Sequence, residues 1–121
     1  MLDVFLVGIG GFVGTAARYL IGLIPVKSGS VFPWKTLAIN ILGAFVIGLI
    51  SALAVKNESM DRHLVLMLKV GLCGGFTTFS TFAYENADLL KNGQTWISVL
   101  YMVLSLAVGI AAVFAAQALV R

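Results

Sequence analysis

The stretch GLCGGFTTFSTF, residues 71–82, is the most unusual part of the chain. It places three glycines, four hydroxyl residues and three phenylalanines inside a segment that is otherwise apolar. Glycine has a low helix propensity, and Ser and Thr hydroxyls bond to backbone carbonyls in competition with the helical hydrogen bonds. The pattern therefore predicts a helix that is interrupted near residues 74–78.

The composition around this stretch places the chain in a lipid bilayer. Of the 121 residues, 60% are hydrophobic and 11% are charged, whereas soluble domains carry about 25% charged residues. The apolar residues form four blocks, each long enough to cross a membrane as a helix, at residues 4–24, 34–55, 64–90 and 96–120. We therefore predict an all-α integral membrane protein, in which residues 1–121 form a single domain of four transmembrane helices and the third helix is broken near mid-membrane.

This organisation excludes several classes of protein. Four spans in 121 residues leave no room for a soluble domain, which excludes receptors with ectodomains, ATP-driven pumps and most enzymes. The single cysteine excludes a disulfide framework and a cysteine-rich metal site. We expect that the chain is not an enzyme.

An interruption at membrane depth has a chemical consequence. Non-helical backbone is tolerated there only where protein or an aqueous cavity surrounds it, and its released carbonyls can coordinate a bare cation. The alternative is an unbroken helix in which Gly71 and Gly75 form a G-x-x-x-G packing face. The residues alone leave both interpretations open.

Basic residues normally decide the orientation of a membrane protein, but here the two faces are balanced. One face has Lys56, Arg62, Lys69 and Arg121, and the other has Arg18, Lys27, Lys35 and Lys91. A chain without a charge bias can insert in both orientations, so an antiparallel dimer of the same chain becomes possible. The alternative is that a few marginal charges still select one orientation.

The phenylalanines of the central stretch repeat every third residue. Phe76, Phe79 and Phe82 share a face wherever the helix is regular. Such a stripe is commonly lipid contact or core packing. These rings alternate with hydroxyl residues, however, and the positive ring edges would let an anion pass without meeting a fixed charge that would trap it.

Polar side chains also recur in helices two and four, at a spacing of four residues that puts each pair on one face. The pairs are Thr36 with Asn40 and Tyr101 with Ser105. A transmembrane Asn commonly joins helices, but its amide also supplies two donors that can solvate an anion. Together with the third helix, they form a candidate ion pathway. Its residues are Thr36, Asn40, Thr78, Phe79, Ser80, Thr81, Phe82, Tyr101 and Ser105.

Charged residues near the helix ends suggest supporting roles. For Arg18, toward the end of helix one, we expect a structural or vestibule role, either by extending to the interface or by bonding buried carbonyls. Glu85 and Asp88 lie beside Lys91, and we interpret them as an exposed interfacial cluster of charges.

Three strings together resemble one family. They are GGFVGTAARY at residues 10–19, NILGAFVIG at residues 40–48 and GLCGGFTTFSTFAYE at residues 71–85. In order and spacing they are similar to the small dual-topology fluoride channels, called Fluc or CrcB-like proteins. The resemblance covers nearly the whole chain.

The resemblance implies a fluoride-selective channel in the bacterial plasma (inner) membrane, which reduces cytoplasmic fluoride by passive conduction. It implies an antiparallel homodimer with two pores and a central structural Na+, and no organic cofactor. The Na+ ligands would be the backbone carbonyls of Gly74 and Thr77 from both subunits. Phe79 and Phe82 correspond to the pore phenylalanines of the family, and Asn40 to the pore asparagine.

Three positions depart from the family pattern. Gly109 stands where many relatives have a second hydroxyl one turn beyond Ser105, so the polar track on helix four is expected to be shorter. Thr15 and Ala44 stand where other small residues are commoner, which should affect packing more than conduction.

Two other functions fit a chain of this kind. Small multidrug-resistance transporters also have four helices and can insert both ways, but they need an intramembrane carboxylate, and helix one has only Asp3 at its start. In a non-transporting membrane assembly protein, the hydroxyl and phenylalanine stripes would serve packing alone.

Overall fold

A computed structural model describes residues 1–26 and 30–121. Lys27, one of the balanced basic residues, lies outside the described residues. The described part is all-α, without a β-strand, which confirms the predicted fold class. Its elements are α1 (Leu2–Gly22), α2 (Trp34–Lys56), α3 (Arg62–Leu66), a π-helix (Met67–Cys73), α4 (Gly74–Phe76), α5 (Phe79–Lys91) and α6 (Thr95–Val120).

Four segments are long and apolar enough to cross a membrane, which makes the chain a multi-pass membrane protein. They are α1, α2, α6 and the composite third span Arg62–Lys91 of 30 residues, which contains α3, the π-helix, α4 and α5. Each end lies within two residues of its expected position. The agreement arises because Pro33 directly precedes α2 and polar turns separate the other spans.

Lysines at the start and end of α2 satisfy carbonyls at the ends of neighbouring helices. Lys35 Nζ donates to the carbonyl of Gly22 at 2.7 Å. Lys56 Nζ donates to the carbonyl of Val120 at 2.9 Å. The last carbonyls of a helix have no intrahelical donor and carry the negative end of the helix dipole, so an ammonium group stabilises them.

Glycines bring α1 and the third span into backbone contact. A Cβ atom on Gly71 would lie 2.7 Å from the carbonyl oxygen of Val7, and one on Gly75 would lie 2.6 Å from that of Gly11. Real Cβ atoms do not approach so closely, so only glycine fits. Gly71 and Gly75 therefore do form a packing face.

The third span is nevertheless broken, so the alternative of an unbroken helix is wrong. Thr77 has φ −81° and ψ 159°, and Thr78 has φ −148° and ψ 118°, both extended. The break is narrower than expected from the sequence, because Gly74 and Gly75 remain helical in α4. Glycine lowers the helix propensity here, but packing against α1 holds this part of the span in helical form.

Candidate functional site at the break in the third span

Asn40 on α2 replaces the hydrogen bonds that the helix loses at the break. The Thr78 amide donates to Asn40 Oδ1 at 2.8 Å, and Asn40 Nδ2 donates to the Thr78 carbonyl at 3.2 Å. Both backbone groups of Thr78 are thereby satisfied by one side chain. Unsatisfied backbone groups are costly in a membrane, so this pair of hydrogen bonds stabilises the extended conformation at this depth.

The threonines of the break supply the remaining local bonds. Thr77 Oγ1 donates to the Cys73 carbonyl at 2.9 Å, which ends the helix on one side. Thr78 Oγ1 accepts from the Thr81 amide at 3.2 Å and so caps the start of α5. Ser80 Oγ lies 3.4 Å from Thr78 Oγ1 and its residue is exposed. Thr78, Ser80 and Thr81 therefore meet at the cap of α5.

The carbonyls near the break divide into those that accept hydrogen bonds and those that do not. The Gly75 carbonyl accepts from Arg18 Nε at 3.2 Å and from Thr15 Oγ1 at 3.4 Å. Arg18 thus bonds a carbonyl of the third span, in line with a structural role. Within the described residues, the carbonyls of Gly74 and Thr77 accept no hydrogen bond.

At the break, the carboxyl-terminal end of α4 and the amino-terminal end of α5 both lie inside the span. The carbonyl end of α4 carries partial negative charge, and the amide end of α5 carries partial positive charge. Gly74 is exposed, and a Cβ atom added to it would meet no other atom within 4 Å. The Gly74 backbone therefore lies at an open surface of the chain.

A cavity of about 380 Å³ lies beside the break and brings much of the predicted pathway together. Its lining includes Asn40, Gly74, Thr77, Thr78, Phe79, Phe82 and Ser105. Ser105 Oγ is buried and has no hydrogen-bond partner among the described residues. The Phe79 and Phe82 ring centroids are 6.0 Å apart. The cavity thus combines aromatic edges with neutral donors, one of which is unused.

Phe79 lines the cavity and is nevertheless 78% exposed. Phe82 is half-buried and packs edge-on against Tyr101, with centroids 4.9 Å apart. Tyr101 is fully buried and also meets the ring of Phe32 at 5.5 Å. Phe82 is therefore anchored by aromatic contacts, while Phe79 projects from a wall of the cavity that the single chain leaves open.

Thr36 and Tyr101 lie outside the cavity lining and bond to a carboxylate instead. Thr36 Oγ1 donates to Glu85 Oε2 at 2.9 Å, and the Tyr101 hydroxyl donates to Glu85 Oε1 at 2.8 Å. The interpretation of Glu85 as an exposed charge was wrong, because these two donors draw it between α2 and α6. Asp88 is exposed as expected.

The sequence did contain a signal for Glu85. It follows Phe82 by three residues, which puts both on one face of α5. Asn86, next to it, accepts from the buried Ser98 Oγ at 2.8 Å and joins α5 to α6. Because the Thr36 and Tyr101 hydroxyl protons point to Glu85, neither is available to an anion in this conformation.

The donor set at the break suits a hard monovalent cation better than a transition metal. The described residues contain no group of three or more His, Cys, Asp and Glu that could hold a metal ion. The free oxygens of Gly74 and Thr77 are neutral carbonyls, the ligand type that unwound transmembrane helices offer to Na+. Gly74 and Thr77 thus fit the Na+ that the family resemblance implies.

Comparisons with known proteins identify the family. The family described as "CrcB-like protein, Camphor Resistance (CrcB)" matches residues 5–117. A relative from Chlorobaculum tepidum is 46% identical over 100% of this chain and 96% of its own length, and one from Chlorobium phaeobacteroides is 48% identical over 87% and 82%. A third, from Agrobacterium fabrum, is 43% identical over 100% and 98%.

All three relatives carry the name "Fluoride-specific ion channel FluC", which describes an ion channel and not an enzyme. The match of the family spans nearly the whole chain, including the break and the residues that line the cavity. The chain therefore belongs to the CrcB family of membrane proteins.

Proposed function

We propose that this protein is a channel that conducts fluoride passively across the bacterial inner membrane and so lowers cytoplasmic fluoride. The names of its relatives support this proposal. The observation that carries it is the break at Thr77 and Thr78, which opens the third span beside a cavity of neutral donors and phenylalanine edges. Such backbone is tolerated at membrane depth only where protein buries it or where it lines a water-filled cavity.

The proposed pathway solvates the anion without a positively charged side chain on its walls. Ser105 Oγ has an unused donor, and Asn40 Nδ2 has a second hydrogen beyond the one given to Thr78. The amide end of α5 and the positive edges of Phe79 and Phe82 add partial charges. Weak neutral sites suit conduction because an ion must leave them as readily as it enters.

The proposed channel is an antiparallel homodimer with two pores. Phe79 and Gly74 are exposed in the single chain, so the cavity lacks a wall that a second copy would supply. A second copy related by a two-fold axis in the membrane plane would cover this exposed surface at the break. An antiparallel dimer also agrees with the balanced basic residues of the sequence, because these allow the chain to insert in both orientations.

A structural Na+ is proposed between the two chains. The Gly74 and Thr77 carbonyls are free of hydrogen bonds and would give four oxygens from two chains. When bound, the ion would supply a buried positive charge that holds the broken spans together and favours anions nearby. Among the residues of this chain, Asn40 and Arg18 position these oxygens by bonding the carbonyls of Thr78 and Gly75.

Dual insertion is the first prediction of this proposal. A cysteine introduced at Glu58, in the exposed turn between α2 and α3, should be labelled by an impermeant reagent from either side of the membrane in about equal amounts, because the basic residues give no bias. Cys73 is buried and should contribute little background. Labelling from one side only in a population that conducts fluoride would contradict the antiparallel dimer.

Dependence on sodium is the second prediction. Replacing Na+ with N-methylglucamine should reduce the dimer fraction in detergent and slow fluoride efflux, because this cation is too large for a site made of four carbonyls. Dimer fraction should be followed by size-exclusion chromatography with light scattering. Unchanged dimerisation and efflux in the absence of Na+ would argue against the proposed site.

A proton-coupled exporter remains as a second candidate, because Glu85 is a carboxylate inside the bundle. Purified protein in liposomes separates the two functions. A channel releases loaded fluoride to an electrode with no pH gradient, whereas an exporter accumulates a cationic dye when a pH gradient is applied. A membrane assembly protein does neither. We expect fluoride release alone.

A further inference from the structure

Lys69 is a charged residue inside the third span, on the π-helix between the start of the span at Arg62 and the break. Its side chain is half-buried, and within residues 1–26 and 30–121 it makes no hydrogen bond or ion pair. An unpaired cation inside a membrane span is costly and usually marks a functional position.

Four of the other cations near the spans are already engaged. Each donates to an oxygen of a neighbouring element, and these cations are Arg18, Lys35, Lys56 and Arg62. Three of the four bond carbonyls, and the fourth pairs with Asp3 at 3.4 Å. Lys69 therefore differs from these four cations, because its ammonium group has no hydrogen-bond or ion-pair partner among the described residues.

The π-helix decides which face of the span Lys69 occupies. Its backbone bonds run from residue i to residue i+5, so residues four and five apart lie above one another. Lys69 thus lies one turn before Cys73, which lines the cavity beside the break. Gly71, by contrast, faces the Val7 carbonyl of α1. Lys69 is therefore on the cavity side of the span, toward its Arg62 end.

We propose that Lys69 attracts fluoride to the end of the pathway nearest α3, an inference that rests on the proposed function. The cavity itself is lined by neutral residues, so it binds an anion weakly and does not concentrate it. A cation one turn outside the cavity raises the local anion concentration and the entry rate, as charged clefts do for their substrates. Because Lys69 is not itself a cavity residue, it does not trap the ion.

The test compares Lys69→Met with Lys69→Arg, which retains the charge, and with Lys91→Met, which removes an exposed lysine at the end of α5. Initial fluoride efflux is measured from neutral phosphatidylcholine liposomes at about 0.01 M and about 1 M of an impermeant salt, where the screening length is about 30 Å and about 3 Å. Lys69→Met should slow efflux about three- to tenfold at low salt and little at high salt. Lys69→Arg and Lys91→Met should match the unmodified protein.

Three results would overturn the proposal. An equal loss for Lys69→Met at both salt concentrations, with a lowered melting temperature, would make Lys69 a structural residue. Efflux equal to that of the unmodified protein for Lys69→Met at both salt concentrations would exclude a role of Lys69 in fluoride entry. An effect of Lys69→Met seen only when phosphatidylglycerol is added would show that the Lys69 ammonium group binds a lipid phosphate. A failure of the proposed function is distinguishable, because the unmodified protein would then release no fluoride at any salt concentration.

Discussion

Asn40→Ala is expected to abolish most fluoride conduction and to lower stability. The substitution leaves the amide and the carbonyl of Thr78 without partners, and each buried unsatisfied group costs about 1–3 kcal/mol. The break must then rearrange or the proposed dimer must loosen. We expect fluoride efflux per mole of protein to fall at least about tenfold, since about 1.4 kcal/mol added to a barrier has that effect, together with a lower melting temperature.

Two variants control this experiment. Asn40→Asp keeps an acceptor for the Thr78 amide but loses the donor to its carbonyl, so it should be impaired as well. Asn92→Ala removes an exposed asparagine after α5 and should behave as the unmodified protein. If Asn40→Ala retained both its melting temperature and its efflux, Asn40 would not be the residue that holds the break.

Phe79→Ile is expected to cut fluoride throughput while leaving the fold almost unchanged. Isoleucine retains the hydrophobic character but removes the aromatic quadrupole, which is worth about 0.5–1.5 kcal/mol in aromatic pairs. A loss of this size at the barrier slows passage about two- to tenfold. Since the Phe79 side chain is 78% exposed in the single chain, the substitution removes little core packing. Efflux and melting temperature should be measured on the same preparations.

The chain offers a closely matched control. Phe12 on α1 is 77% exposed and lies outside the cavity lining, so Phe12→Ile should leave efflux unchanged. Phe82→Ile should reduce efflux too, but with some loss of stability, because Phe82 packs against Tyr101. Phe76→Ile, next to the break, should lower stability more than efflux. A fall in melting temperature without a fall in efflux for Phe79→Ile would show that its ring serves packing alone.

The sequence predicted the spans and a break near residues 74–78, but it did not show which of these residues leave the helix. Of the two features that predicted the break, the glycines Gly74 and Gly75 remain helical. The chain departs from the helix at Thr77 and Thr78, where Asn40 of another helix takes over the hydrogen bonds. The low helix propensity of residues 74–78 can be recognised within that segment. Which residues leave the helix depends on Asn40, which lies 38 residues away in the sequence from Thr78.

The π-helix and the site of Glu85 were missed for related reasons. Nothing in the residues of Met67–Cys73 distinguishes i+5 from i+4 bonding, because the register is set by how the span packs on α1. The sequence favours a surface charge at Glu85 because Asp88 and Lys91 follow it closely. Its real partners, Thr36 and Tyr101, are on two other helices, and only tertiary packing brings them together.

We propose that neutral donors and aromatic edges at the break select and pass fluoride. The most direct measurement is the initial efflux of fluoride and of chloride from the same proteoliposomes, with ion-selective electrodes and a potassium ionophore to remove the membrane potential. We predict fluoride efflux at least about tenfold faster than chloride, a difference of about 1.4 kcal/mol or more between the two barriers. Equal rates for the two anions, or chloride moving faster, would contradict a fluoride-selective pathway at the break.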